Sequence, residues 1–331
     1  VPLRSFFTKV NTIQDIRRPI EQDFHAYEKL YMSTLKSDNP LLHDVLDYIS
    51  AKQGKQLRPH LVLLAAQMCH GVSDKTVKTA VALELMHTAS LVHDDVVDAS
   101  PYRRGSESVQ ERWTNKVAVL VGDYLLSVIM NLVVELRHSR ILSILSDMAK
   151  SLSSGELLQL YHKGSMWIDE QCYYQIIEQK TARLFAACME AGGESSGCTM
   201  RQATALREFG LHLGMCFQMK DDVLDYSDSE EIGKPTMSDI RDGKVTLPLL
   251  ISLKRAPENE SEMLKQRIGQ PMPVPEEDIR SFVLRYDGIG YAYQQMQKHK
   301  QKAVEALSCF HDSPAKSSLL QLLDYSINRL K

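Results

Sequence analysis

The feature that most constrains the fold of this chain is a long stretch without proline, from Tyr102 to Lys234. Proline interrupts helix interiors because it lacks a backbone N–H and clashes with the preceding turn. Apolar residues recur at helical spacing in most segments, whereas alternating runs rich in Val, Ile and Thr are nearly absent. The pattern predicts an all-α fold of roughly ten or more helices, arranged as one large helical domain over residues 1–331.

Two acidic clusters with identical spacing each follow an apolar, helix-compatible segment. The first reads DDVVD (Asp94, Asp95 and Asp98), and the second reads DDVLD (Asp221, Asp222 and Asp225). Positions i and i+4 share a helix face, so close carboxylates would repel one another until a divalent cation offset their charge. Mg²⁺ takes few protein carboxylates and fills its other positions with water and phosphate oxygens. One such cluster could be a solvated helix end, but two predict a cleft that holds a diphosphate through bridging Mg²⁺.

Basic residues stand near both clusters. Arg103 and Arg104 directly follow the first cluster, and their charge and fork geometry suit phosphate. Lys55 and Arg58 lie in GKQLRP, and Lys234 and Lys244 in GKPTMSDIRDGK, where each could equally be a solvated surface residue. Two polar residues of SGELLQ, Glu156 and Gln159, share a helix face, and we expect them to form a structural hydrogen-bond pair.

The combination of GKQLRP, DDVVD followed by RRG, and a distant DDVLD resembles the trans-polyprenyl diphosphate synthases, over about residues 54–329. The resemblance implies a single helical bundle around a central cleft, of the isoprenoid synthase type, and a homodimer. It also implies Mg²⁺-dependent, sequential condensation of isopentenyl diphosphate onto an allylic diphosphate such as farnesyl diphosphate.

The same resemblance implies roles for individual residues. Three Mg²⁺ ions would bind Asp94, Asp98 and Asp221, with Asp95, Asp222 and Asp225 in outer positions or on metal-bound water. Isopentenyl diphosphate would contact Lys55, Arg58, His87, Arg104 and Arg329. The allylic diphosphate would contact Arg103, Lys180 and Lys244, and Lys234 and Lys244 could close over it as a lid. Thr181 and Gln218 would face the reacting carbon with neutral oxygens, which stabilise a carbocation without capturing it.

The length of the product is predicted from the residues just before the first cluster. Ala89 and Ser90 are small and lie within about one helical turn of Asp94. Short-chain members of the resembled family carry bulky aromatic residues there, so the small pair predicts an open tunnel. Met86 would narrow the tunnel, and its floor is expected within Val117–Leu136. We predict a hexaprenyl to decaprenyl product, centred on octaprenyl, with a farnesyl or geranylgeranyl diphosphate synthase as the alternative.

Other classes of protein fit the sequence less well. A class I terpene cyclase normally pairs one DDxxD with an Asn/Ser/Glu metal motif that this chain lacks. A non-catalytic partner subunit would be expected to have lost aspartates or basic ligands, and both sets are intact. The net charge of −3 argues against a general nucleic-acid binder.

The remaining expectations concern location and exposure. Six scattered cysteines without a C-x-x-C pair predict reduced, buried thiols, and the mixed, charged N-terminus predicts no signal peptide, so we expect a cytoplasmic protein. The apolar stretch Val117–Leu136 is interrupted by polar residues and predicts a buried bundle helix rather than a membrane span. A long loop is expected over Asn259–Glu277. A long apolar product suggests peripheral membrane contact during its release.

Overall fold

A computed structural model describes residues 12–52, 54–165, 168–227, 236–268 and 276–329. These ranges confirm the all-α prediction, with one short antiparallel hairpin of β1 (Tyr102–Arg103) and β2 (Ser106–Glu107). In chain order the helices are α1 (Ile13–Arg17), α2 (Glu21–Thr34), α3 (Pro40–Ser50), α4 (Leu57–Cys69), α5 (Asp74–Val97), α6 (Val109–Arg112), α7 (Asn115–Leu136), α8 (Ser139–His162), α9 (Glu170–Ile177), α10 (Arg183–Ser195), α11 (Met200–Leu224), α12 (Ser238–Arg241), α13 (Leu247–Arg255), α14 (Glu258–Ile268), α15 (Glu276–Arg285), α16 (Gly288–Ala306) and α17 (Pro314–Asn328).

Two long helices, α5 and α11, carry the acidic clusters at their C-terminal ends. Each begins at a capping box, with Ser73 at the N-cap of α5 and Thr199 at the N-cap of α11. Each ends at the last carboxylate of its cluster, because Asp98 and Asp225 are the C-cap residues. Helix α5 packs against α4, α7 and α10, while α11 packs against α10 and α16. The bundle therefore fixes both acidic helix ends through rigid elements.

The apolar side chains form two clusters. The large cluster extends from α1 to α17 and fills the bundle. A smaller one includes Tyr226, Ile240, Leu249 and Phe282. This smaller cluster joins Tyr226, which directly follows Asp225, to residues of α12, α13 and α15.

Helix α7 differs from the expected buried helix. It is long and apolar enough to cross a membrane by length and composition alone, but only 33% of its apolar window is buried within the bundle. One face packs against α5, while Leu120, Met130 and Val134 are 68%, 65% and 71% exposed. The core helix of a soluble protein passes the same test of length and composition, so one such helix is weak evidence for a span. The predicted buried bundle helix therefore packs in the bundle by one face and is exposed on the other.

Two further expectations are corrected. The predicted loop at Asn259–Glu277 is helical over most of its first half, because α14 reaches Ile268 and its prolines come only afterwards. Acidic residues in the first turn of α14 and basic residues in its last turn favour this helix.

The six thiols are free, but only Cys188 and Cys216 are buried; the other four are partly exposed at helix ends or on helix surfaces.

A buried histidine makes the stability of the bundle dependent on pH. His60 is 1% exposed, stacks on Phe24 with ring centroids 4.4 Å apart, and lies with Nδ1 2.7 Å from the Gln56 carbonyl oxygen. Burial lowers the pKa of His60 to about 4, below the 6.5 of the unfolded chain. Because the unfolded chain binds this proton first, stability is lost as the pH falls below 6.5.

We expect His60 to cost about 2 kcal/mol of unfolding free energy between pH 7 and pH 5. Urea unfolding of the wild type and of His60→Leu at the two pH values measures this contribution: the pH dependence should be smaller in the variant by that amount, while other buried histidines such as His87 keep theirs. His25, whose side chain is 63% exposed, is the matched control: His25→Gln should keep the wild-type dependence on pH. An equal loss of pH dependence in both variants would contradict the assignment.

Candidate active site

The two acidic helix ends meet at a cleft of about 290 Å³. Asp94 and Asp98 line it from the end of α5, one helical turn apart, and Asp221 lines it from α11. The predicted sharing of one face by Asp94 and Asp98 is thus observed, and the carboxylates of two helices border the same cavity. Because the acidic ends of both α5 and α11 border the cleft, negative charge lies on two of its walls.

The other three carboxylates of the clusters do not line this cavity. Asp95 is 2% exposed and accepts a 2.6 Å hydrogen bond from Arg103 Nε. Asp225 accepts hydrogen bonds from the backbone N–H groups of Ser238 and Asp239 and from the Ser238 hydroxyl. These two carboxylates therefore hold neighbouring segments in place, while Asp94, Asp98 and Asp221 border the cavity.

Asp222, the sixth carboxylate, is buried beneath α9. It accepts a 2.6 Å hydrogen bond from the Tyr173 hydroxyl and a 2.9 Å hydrogen bond from Gln218 Nε2. Burial raises the pKa of Asp222, while these two donors lower it. Both carboxylate oxygens thus have partners within the protein, and neither is directed at the cavity that Asp94 lines.

The electrostatics of the cleft suit a divalent cation. Burial, together with the neighbouring Glu156 carboxylate, raises the pKa of Asp94 to about 6. Among the described residues, no three His, Cys, Asp or Glu side chains converge into a closed metal cage. An open set of carboxylates on two walls fits Mg²⁺, which keeps several positions for water and phosphate. The residues present therefore fit magnesium, held jointly by the protein and a diphosphate.

Cations line the rim of the cleft and contact its carboxylates. Lys244 Nζ lies 3.3 Å from Asp98, and Arg329 Nη2 lies 2.7 Å from Asp221. Arg329 therefore pairs with a predicted metal ligand, not with the residues expected to hold isopentenyl diphosphate. Lys234 lies outside the described residues.

Lys180 and Thr181 lie on a π-helical turn, Glu178–Ala182, between α9 and α10. Such turns often occur at functional sites because they displace side chains from the regular helical positions. Two glycines allow neighbouring helices to approach this turn closely. A Cβ at Gly155 would lie 2.8 Å from the backbone nitrogen of Lys180, and a Cβ at Gly214 would lie 2.5 Å from the Cα of Ala182. The turn is therefore held between α8 and α11, and Thr181 donates a 2.7 Å hydrogen bond to Gln218 Oε1.

Glu156 differs from its expected role. It forms an ion pair with Lys180, instead of a hydrogen bond with Gln159, and both members of the pair line the cleft. The tight contact at Gly155 brings α8 to the π-helical turn, which explains this choice of partner. The prediction of a Glu156–Gln159 pair was wrong.

The residues expected to bind isopentenyl diphosphate are divided between two places. Arg58 and His87 line the cleft, and burial lowers the pKa of His87 well below its ordinary value. Lys55 is exposed, with its ammonium 5.2 Å from the Tyr325 ring centroid. Arg104 donates a 2.9 Å hydrogen bond to the Lys52 carbonyl oxygen and lines a smaller neighbouring cavity of about 80 Å³.

The residues predicted to set product length lie in different surroundings: one lines the cleft, and two pack in the apolar cluster. Ser90 lines the cleft on the same face as Asp94, and its hydroxyl donates to the His87 carbonyl oxygen. Ala89 is 1% exposed and belongs to the large apolar cluster, against which Met86 is partly buried. Of the small pair, Ser90 is therefore the one that borders the cavity.

This all-α bundle, with carboxylates on two helix ends and cations around them, is the architecture of the isoprenoid synthases. The family model for polyprenyl synthetase matches residues 39–283, and the chain belongs to that family of prenyltransferases.

Individual relatives match along almost the entire chain. The octaprenyl diphosphate synthase of Haemophilus influenzae is 33% identical over 96% of this chain and 97% of its own. The short chain isoprenyl diphosphate synthase of Methanothermobacter thermautotrophicus is 32% identical over 86% of this chain and 89% of its own.

Among solved structures, the polyprenyl synthase of Caulobacter crescentus complexed with calcium and isoprenyl diphosphate superposes with a TM-score of 0.92, at 33% identity, over 98% of this chain and 100% of that one.

Proposed function

We propose that this chain is a Mg²⁺-dependent long-chain trans-polyprenyl diphosphate synthase that condenses isopentenyl diphosphate with an allylic diphosphate. The observation that supports it best is the cleft itself, where Asp94, Asp98 and Asp221 share a cavity with Lys180, Arg58 and His87. A single acidic wall would bind a cation only. Carboxylates on two walls, with Lys180 and Arg58 lining the same cavity, suit a diphosphate bound together with its metal ions.

Magnesium, when bound, would neutralise charge on the leaving diphosphate and orient it. Asp94, Asp98 and Asp221 are the proposed ligands for three ions. Lys180, from the π-helical turn, and Arg103 would bind the same diphosphate. Lys244, 3.3 Å from Asp98, would move from that carboxylate to the diphosphate as the segment 236–246 closes.

The chain's other residues would act on the organic part of the substrates. Thr181 and Gln218 line the cleft, and their neutral oxygens would stabilise the allylic cation that loss of diphosphate leaves. Arg58 and His87, with Lys55 and Arg104, would orient isopentenyl diphosphate so that its double bond attacks that cation. A proton is then lost to the departing diphosphate, and the product is one isoprene unit longer.

The activity is tested by incubating the protein with farnesyl diphosphate and labelled isopentenyl diphosphate, with Mg²⁺ and then with excess EDTA. Incorporation of label into a solvent-extractable product that stops on chelation supports the proposal. Absence of incorporation at every Mg²⁺ concentration would favour a non-catalytic partner subunit.

The length of the product is expected to depend on Ser90. Ser90→Phe should place a ring in the cleft and shift the main product to a shorter chain, because the tail could no longer extend past α5. Ala89→Phe should shorten the product as well, but at a cost of about 1–3 kcal/mol in unfolding free energy, because Ala89 is already closely packed.

Chromatographic sizing of the dephosphorylated products measures both effects. Ser90→Ala is the control, because it keeps the side chain small and should keep the wild-type product. An unchanged distribution in both phenylalanine variants would refute the proposed path of the tail and reopen the short-chain alternative.

We also propose a homodimer in which α7 forms part of the interface. Its exposed Leu120, Met130 and Val134 would be covered by a second copy, while its opposite face stays packed against α5. Sedimentation should give twice the 37.5 kDa mass of one chain. Val134→Glu should favour the monomer, and a wild-type protein that sediments as a monomer would contradict the proposal.

A further inference from the structure

Tyr173 is a buried side chain of α9 that contacts the second acidic cluster. It is 3% exposed, and its hydroxyl donates to Asp222 Oδ2 at 2.6 Å. Its ring also borders a cavity of about 140 Å³ that adjoins the cleft, and the side chains that line both cavities include Thr181 and Gln218. The tyrosine therefore lies behind the two residues whose oxygens are proposed to face the reacting carbon, without lining the cleft itself.

The four side chains form a continuous hydrogen-bonded chain. Tyr173 donates to one oxygen of Asp222, Gln218 Nε2 donates to the other at 2.9 Å, and the Thr181 hydroxyl donates to Gln218 Oε1 at 2.7 Å. The three contacts link α9, α11 and the π-helical turn. Each of the three donors has one acceptor in this chain, and all three hydrogen bonds are donated towards Asp222 or towards the amide that Asp222 holds.

This direction decides which end of the Gln218 amide faces Thr181. In the structure the amide presents its NH₂ group to Asp222 and its oxygen to Thr181, which is the arrangement that an ionised carboxylate, an acceptor only, favours. The reversed amide would place oxygen against oxygen. A cation near Thr181 is stabilised by the amide oxygen and repelled by the amide NH₂, so the orientation bears directly on a carbocation reaction.

We propose that Tyr173 is a positioning residue, which holds Asp222 so that Gln218 keeps its amide oxygen directed at the reacting carbon. The inference rests on the proposed function, because it needs a cation to form beside Thr181. Tyr173 acts only through its neighbours: it holds Asp222, and Asp222 holds the Gln218 amide. Without the Tyr173 hydroxyl, the Asp222 carboxylate can rotate, and the Gln218 amide is then free to adopt both orientations.

A double-mutant cycle of Tyr173→Phe and Gln218→Ala tests this directly. Tyr173→Phe should lower kcat about tenfold while KM for both substrates stays nearly unchanged, and it should raise the fraction of prenyl alcohol formed when water captures the cation. In the Gln218→Ala background the same substitution should cost nothing further, because the amide through which it acts is gone. Tyr174→Phe, on the adjacent residue outside both cavities, should retain wild-type kcat.

The other outcomes overturn the inference. Wild-type kcat in Tyr173→Phe, or an equal loss with and without Gln218, would show that the tyrosine does not act through the amide. If Tyr173→Phe fails to fold, the cycle of Asp222→Asn with Gln218→Ala replaces it, and additive losses there would equally refute the proposal. An inactive wild-type protein would defeat the proposed function instead, so the two failures are distinguishable.

Discussion

Replacing Asp94 by asparagine is expected to lower the rate of prenyl transfer by on the order of 10³-fold, because it removes a ligand of the metal ions that neutralise the leaving diphosphate. Asp94 is the carboxylate whose pKa burial and Glu156 raise to about 6, which shows how strongly its surroundings disfavour an uncompensated charge. Without that carboxylate the apo protein should be at least as stable as the wild type, since a repulsive interaction is gone.

Initial rates at saturating substrate and a range of Mg²⁺ concentrations measure the effect, together with thermal unfolding of the apo protein. Asp312→Asn is the matched control, because the Asp312 side chain is fully exposed and pairs only with Lys316. Activity within about twofold of wild type in Asp94→Asn would remove the first acidic cluster from the proposed metal site.

Replacing Arg58 by glutamine is expected to lower kcat/KM for isopentenyl diphosphate by about 100-fold, while KM for the allylic substrate changes little. Arg58 and His87 both line the cleft. Burial lowers the pKa of Arg58, although the neighbouring Glu84 opposes that shift. A guanidinium that is already largely desolvated gives up little hydration when it binds a diphosphate. The asymmetry between the two substrates is the signature of a separate binding site for each.

Steady-state kinetics with each substrate varied in turn provide the measurement. Arg201→Gln is the control: this exposed arginine lies in the first turn of α11, at the opposite end of the helix from Asp221. Equal increases in KM for both substrates would mean that Arg58 serves the allylic diphosphate as well, or that the variant is disordered.

Local patterns predicted most of the framework. Helical spacing gives the all-α fold, and the i, i+4 relation places Asp94 and Asp98 on one face, because both are properties of a single helix. The contacts between elements could not be predicted in this way. The Glu156–Lys180 pair depends on how closely Gly155 lets α8 approach a π-helical turn, and nothing in SGELLQ indicates that approach.

The same limit applies to Tyr173 and to α14. Tyr173 is one of two adjacent tyrosines in the amphipathic helix α9, and only the packing of α9 against α11 places its hydroxyl on Asp222. The one sequence signal for this contact is that Gln218 and Asp222 are polar and four residues apart on an apolar helix, where a buried carboxylate needs a further hydrogen-bond donor. At α14 the prolines at positions 271, 273 and 275 indicate a break only at their own positions, whereas the charges at the two ends of Glu258–Ile268 favour a helix before them.

The central claim is that this cleft elongates a prenyl chain well beyond the short products. Its most direct test is to incubate the wild-type protein with Mg²⁺, farnesyl diphosphate and labelled isopentenyl diphosphate, and to size the dephosphorylated products by chromatography. We expect one dominant product between hexaprenyl and decaprenyl. A farnesyl or geranylgeranyl product would contradict the long-chain assignment, and no Mg²⁺-dependent product at all would contradict the proposed activity.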